Sequence, residues 1–243
     1  MNIYLTGASV VRRSSARISS AGSGPEPRRW DFPEPGLMRE IAARYPRFGR
    51  FDEYTQVGCA AVFAAARDAG IRPGGPFRKV GLILAGQYGS FETDEAFYAS
   101  ISAGPELASP NLFSYTLPNI VIGECAQQFG WMGPTYCLDG EGGRGSAALA
   151  QAAFLLEEGR AEAVLVGWLE VLPPWAPAGE EGAAALFFEA DRGDRSPRLE
   201  LITAGASGMA FLTASLAATV DDILRAVGLP DFAAGLESAP VIP

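Results

Sequence analysis

The sequence predicts an α/β domain: a mixed five-stranded sheet with helices on both faces, in the order βαβαβαββ. Three observations predict it. Short, nearly continuous apolar runs recur at 2–10, 80–85, 135–139, 163–168 and 183–188, and strands without polar alternation are covered on both sides. Segments with helical start and stop signals separate the first four runs. The last two runs follow one another without a helix between them, which supplies the closing ββ and makes the sheet mixed.

Each element has its own signal. Asn2 to Val10 reads as a strand, and the Ser/Gly/Pro-rich stretch at about 12–36 as a surface loop. Asp52 is a candidate N-cap for a helix that runs to Ala69 and stops at Gly70. Val80 to Ala85 lies between Pro/Gly-rich segments, as a buried strand does. Ser90 is placed to cap a helix whose first turn carries Glu92, Asp94 and Glu95, acids that suit the positive end of the helix dipole. Pro118 fits the first turn of a helix closing at Gly130. A strand through Cys137, a glycine-rich turn and a helix from Ser146 to Glu158 follow, the last stopped by Gly159. Strands at 163–168 and 183–188 complete the domain, whose body is placed at 1–198. Residues 199–243 read as one strand, Leu199 to Ala204, and one amphipathic helix, about Thr213 to Val227, packed on the same domain.

Composition narrows the function classes. The 243-residue chain is long enough to bury a substantial core, and 48% hydrophobic with 19% charged residues is ordinary globular material. No apolar run reaches membrane-spanning length and the start lacks a secretory-signal pattern, so a cytoplasmic protein without a membrane span is expected. The three cysteines, Cys59, Cys125 and Cys137, are odd in number and scattered, which fits reduced, buried thiols. With no histidine and no paired-cysteine motif, neither a metal site nor a cofactor is expected. A net charge of −9 argues against nucleic-acid binding. The charge is unevenly spread, because the first fifty residues hold nine Arg against four acids. Arg12, Arg13, Arg17, Arg28 and Arg29 are therefore candidates for docking an acidic partner.

The run Asn111-Leu-Phe-Ser-Tyr-Thr-Leu-Pro-Asn119 followed by Gly123-Glu124, then Gly133-Pro134, the strand at 135–139 and Asp139, resembles the N-terminal half of a β-ketoacyl synthase. The segments 147–152, 161–170 and 181–189 resemble the helix and strands beyond the nucleophile turn of that family. The resemblance covers most of the chain to about Ala190 and implies one half of a thiolase-like fold. It places Gly142 where the family carries its catalytic cysteine, and the chain has no histidine to drive decarboxylation. The resemblance therefore implies no catalytic residue and a role of the chain-length-factor type. Such a subunit pairs with an active ketosynthase and an acyl carrier protein in polyketide, aryl-polyene or fatty-acid synthesis, a homodimer being the alternative. It further implies that Thr135, Tyr136, Cys137 and Leu138 form a strand at the subunit boundary. Phe113, Tyr115 and Leu117 would face the acyl channel and gate chain length.

The glycine-rich turn supports a second reading. Gly140, Gly142 and Gly145 form G-x-G-x-x-G between a strand and a helix, and Glu170 ends the next strand, where a ribose-binding acid would lie. Backbone amides there could cradle a phosphate of a nucleotide or coenzyme A. Against this, such turns usually open a domain, and Glu141 would set a carboxylate beside the phosphates. Cys137 and Ser146 are weak nucleophile candidates, because no histidine is present to act as base.

Overall fold

The structure, a computed structural model, describes residues 2–13, 30–32, 36–139, 145–176, 181–190 and 199–202. Seven strands form one sheet: β1 (Asn2–Arg13), β2 (Trp30–Asp31), β3 (Val80–Gly86), β4 (Thr135–Asp139), β5 (Ala163–Glu170), β6 (Gly182–Glu189) and β7 (Leu199–Ile202). Their order is β2-β1-β6-β5-β3-β4, with β7 also on β1. β3 is parallel to β4 and β5, whereas β5 with β6 and β6 with β1 are antiparallel. The sheet is mixed, as expected; among the described residues it holds the five expected strands, the strand expected at 199, and β2, which was not expected. β1 runs three residues beyond the expected Val10, so its edge opposite β6 is long enough for two partners. β7 pairs with its first half, Asn2 opposite Ile202, and β2 with its last residues, Arg12 opposite Asp31.

Among the described residues six α-helices accompany the sheet: α1 (Leu37–Arg44), α2 (Glu53–Asp68), α3 (Phe91–Ala103), α4 (Pro110–Phe113), α5 (Ile120–Phe129) and α6 (Ser146–Glu157). Helices α1, α2 and α5 cover one face, where Ile41, Val57, Phe63, Val121 and Phe129 share a core with Leu82, Leu165, Leu169 and Phe187. Helix α6 covers the other face, setting Leu149, Leu155 and Leu156 against Ile83, Val164, Val166 and Leu186. Alternate residues of β5 and β6 thus enter opposite cores, and all sixteen are buried. That is why neither strand shows polar alternation.

Local chemistry sets the helix ends. Asp52 caps α2 by accepting the Thr55 N–H at 3.0 Å, and its second oxygen accepts from the Thr93 hydroxyl, tying α2 to α3. Gly130 closes α5 in the left-handed region at φ +66°, where a side chain would be strained. One expected cap acts otherwise. The Ser90 hydroxyl donates to the Thr116 carbonyl at 2.8 Å and so joins α3 to the chain before α5. The cap of α6 is Gly145, at φ +79°, and Ser146 is already helical. Pro118 lies two residues ahead of α5 and is not in its first turn. The loop expected at 12–36 is also shorter, because Arg12 and Arg13 belong to β1 and Trp30 to β2.

Candidate functional site

A cavity of about 380 Å³ lies between α1 and α2, and one of about 310 Å³ lies at the C-terminal ends of β3 and β4. The second occupies the place where open α/β sheets gather their functional groups. Leu84, Ala85 and Gly86 of β3 form one wall, and Cys137 and Leu138 of β4 another. Tyr54 from the first turn of α2, the loop 87–89 and Pro118 complete it. Gly86 is required here: a Cβ would lie 2.4 Å from the Leu169 carbonyl oxygen, so only glycine lets β3 end against β5.

Glu170 fixes the loop. Its two carboxylate oxygens accept the N–H of Gln87 at 2.8 Å and of Tyr88 at 3.0 Å. Burial raises the pKa of this carboxyl, an effect that the two amide hydrogen bonds oppose. Both of its oxygens are thus engaged by the loop, which argues against the ribose-binding role considered for it. The cavity wall is electrically quiet. Burial pushes the Cys137 thiol up to about 11, and the Tyr54 hydroxyl is raised first by burial and then by Cys137, Glu170 and Asp52. At neutral pH both are uncharged. A wall of aromatic, aliphatic and weakly polar groups suits an apolar chain better than an ionised ligand.

The sequence-derived site residues separate in space. Tyr115 is buried, 7% exposed, and packs its ring 5.7 Å from Phe51, so it is a core residue. Phe113 and Leu117 are each 63% exposed, and Phe113 packs against Phe97 at 5.3 Å. None of the three lines the cavity; Pro118 is the residue of that segment that does. Thr135 to Leu138 lie on β4, an end strand of the sheet that pairs with β3 on one side only among the described residues. Thr135, Tyr136 and Cys137 are exposed, so the expectation of three buried thiols holds only for Cys59 and Cys125. Arg13 pairs with Glu181, which offsets the docking charge assigned to it. Arg17, Arg28, Arg29, Gly140 and Gly142 lie outside the described residues, and Gly145 forms the corner that opens α6. Sequence reasoning missed Tyr54, Gln87, Tyr88 and Gly89. The signal that could have found them is the Gly86-to-Gly89 turn at the end of a buried parallel strand.

Among the described residues, no group of three or more His, Cys, Asp or Glu is placed to hold a metal ion. No helix among them is long and apolar enough to cross a membrane.

Comparison with known proteins agrees with this fold. The ishigamide ketosynthase/chain length factor superposes with a TM-score of 0.62 at 22% identity, covering 94% of this chain and 74% of its own. A type II polyketide synthase acyl-carrier protein in complex with its ketosynthase, AntDE:AntF, gives 0.60 at 17% identity, covering 83% and 67%. The ketosynthase ApeO in complex with its chain length factor ApeC, from Xenorhabdus doucetiae, gives 0.51 at 12% identity, covering 78% and 79%. At these identities the likeness shows the fold. No curated protein matches the sequence. The family described as Beta-ketoacyl synthase, N-terminal domain, matches residues 39–210, well over half of the chain. This chain therefore belongs to the β-ketoacyl synthase N-terminal domain family and has its thiolase-like α/β fold.

Proposed function

We propose that this protein is a catalytically degenerate ketosynthase-like subunit of the chain-length-factor type, which pairs with an active ketosynthase through β4. The observation that carries the reading is the edge of β4, which pairs on one side only among the described residues, with Thr135, Tyr136 and Cys137 exposed beside an uncharged cavity. A partner strand laid along that edge would satisfy the free side of β4 and close the cavity mouth with a second wall. The cavity would then hold part of a growing acyl chain whose chemistry belongs to the partner. Gly142 at the nucleophile position and the absence of histidine support a role without condensing activity of its own. Phe113 and Leu117 are exposed in the segment that leads to Pro118, and in this reading they meet the partner, not the acyl chain. The acyl groups would arrive on an acyl carrier protein, in polyketide, aryl-polyene or fatty-acid synthesis in the cytoplasm.

Co-expression with a candidate partner ketosynthase and its acyl carrier protein, followed by native mass spectrometry, tests the proposal. A stoichiometric heterodimer is expected. A monomer or homodimer that ignores both partners would refute it. Gly142→Cys is expected to leave the isolated protein unable to condense malonyl and acyl thioesters, and any gain of condensation would overturn the assignment.

A further inference from the structure

Helices α2 and α5 pack against each other at Gly58. A Cβ there would lie 2.7 Å from Leu169 Cδ2 and 2.8 Å from Val121 Cγ1, so a larger residue would have to displace those side chains. The next residue of α2 is Cys59, and one turn beyond Val121 on α5 is Cys125. The close seam therefore brings the two sulfurs together at 3.6 Å, with both residues buried and both thiols free. Cys137, the third cysteine, has no such contact and is exposed.

We propose that Cys59 and Cys125 form an oxidation site, which a hydroperoxide converts to a disulfide that staples α2 to α5. A disulfide needs an S–S separation of about 2.05 Å, so the sulfurs must approach by roughly 1.5 Å. Rotation about the two side chains covers much of that distance. The balance is simple. One thiol reduces the hydroperoxide O–O bond and becomes a sulfenic acid, releasing water or an alcohol. The second thiol displaces the sulfenic hydroxyl as water, forming the S–S bond. The hydrogen bond to Cys125, with burial, keeps Cys59 protonated, so the first step proceeds through transient opening of the seam and is slow beside ordinary surface thiols. The staple would act on the frame of the cavity. Helix α2 supplies Tyr54, while α5 connects the Pro118 segment to the chain entering β4.

The test uses the full-length Cys137→Ser protein, which removes the exposed thiol. After native incubation with hydrogen peroxide, the protein is denatured and treated with N-ethylmaleimide. The expected result is the loss of two hydrogens, no maleimide addition and a peptide joining Cys59 to Cys125. The melting temperature should rise by about 5–10 °C, because a loop of this length constrains the unfolded chain, and should fall back with dithiothreitol. Adding Cys59→Ser or Cys125→Ser should abolish both changes. Two intact thiols after incubation, over-oxidation of one cysteine without a cross-link, or a cross-link that leaves the melting temperature unchanged would each overturn the proposal. The Cys137→Ser protein alone decides the outcome if either serine variant fails to fold.

Discussion

Replacing Glu170 by alanine tests how the cavity loop is held. The side chain is 4% exposed and accepts two backbone N–H groups, at 2.8 and 3.0 Å. Each hydrogen bond to a charged group contributes about 1.5–3 kcal/mol, so their joint loss would amount to roughly 3–6 kcal/mol. Removing a buried carboxylate relieves its desolvation, which offsets part of that loss. Burial outweighs the two amide bonds in setting the pKa, so the expected net cost of Glu170→Ala at neutral pH is smaller, about 1–2 kcal/mol, or a drop of roughly 2–8 °C in melting temperature. Glu170→Gln keeps one acceptor but turns an amide NH2 toward the other N–H, and should fall between the two. The pH dependence has a definite sign. The folded carboxyl titrates above its ordinary value of 4.5, so its contribution is complete below that value and is lost as pH rises through the raised one. Relative to Glu170→Gln, the wild type should therefore lose stability as pH rises from about 4.5. Thermal unfolding followed by circular dichroism across acid to neutral pH measures both effects. A cost below about 0.5 kcal/mol for Glu170→Ala would show that the loop is held by other contacts.

Three further outcomes follow from the same geometry. Gly58→Val should cost about 1–3 kcal/mol in denaturant unfolding, because the new side chain meets Leu169 and Val121; an unchanged midpoint would mean that α2 and α5 are further apart. Alkylation of Cys137 by iodoacetamide should accelerate about tenfold per pH unit through the mildly alkaline range and level off only above about 11, whereas an early plateau would reveal an activating partner. Tyr136→Asp, on the open edge of β4, should change the melting temperature of the isolated subunit little yet prevent co-purification with a ketosynthase; retained pairing would move the interface elsewhere.

The fold was legible where burial is two-sided. Val80, Ala163 and the run 183–188 lie within a residue or two of their expected bounds, because a strand covered on both faces is an unbroken apolar run. Thr135–Asp139 also matches its expected bounds, but it is exposed at 135–137 and was placed by the family resemblance. β2 was not legible, since two residues that pair only at the end of β1 carry no period. α1 was overlooked beside the arginine-rich stretch, although Leu37 and Ile41 mark its buried side one turn apart. The site was less legible than the fold. Tyr115 belongs to an aromatic-bearing segment, and whether such a ring enters a core or a channel depends on a distant neighbour, here Phe51. Glu170 stood out in the sequence as an acid at a strand end, but its work is to hold two amides 83 and 82 residues away in the chain. Spacing along the sequence does not encode that pairing.

The long first strand has a consequence for the order in which the molecule is made. β1 finds β6 only when Glu189 can lie opposite Tyr4, and β7 only when Ile202 reaches Asn2. During synthesis β1 is therefore translated well before its neighbours and must wait, edge exposed, while the parallel strands and helices between them appear. Long-range pairing of this kind slows folding and leaves the nascent chain open to wrong strand partners. Termination within β6 would leave β1 with only the two-residue β2 beside it among the described strands.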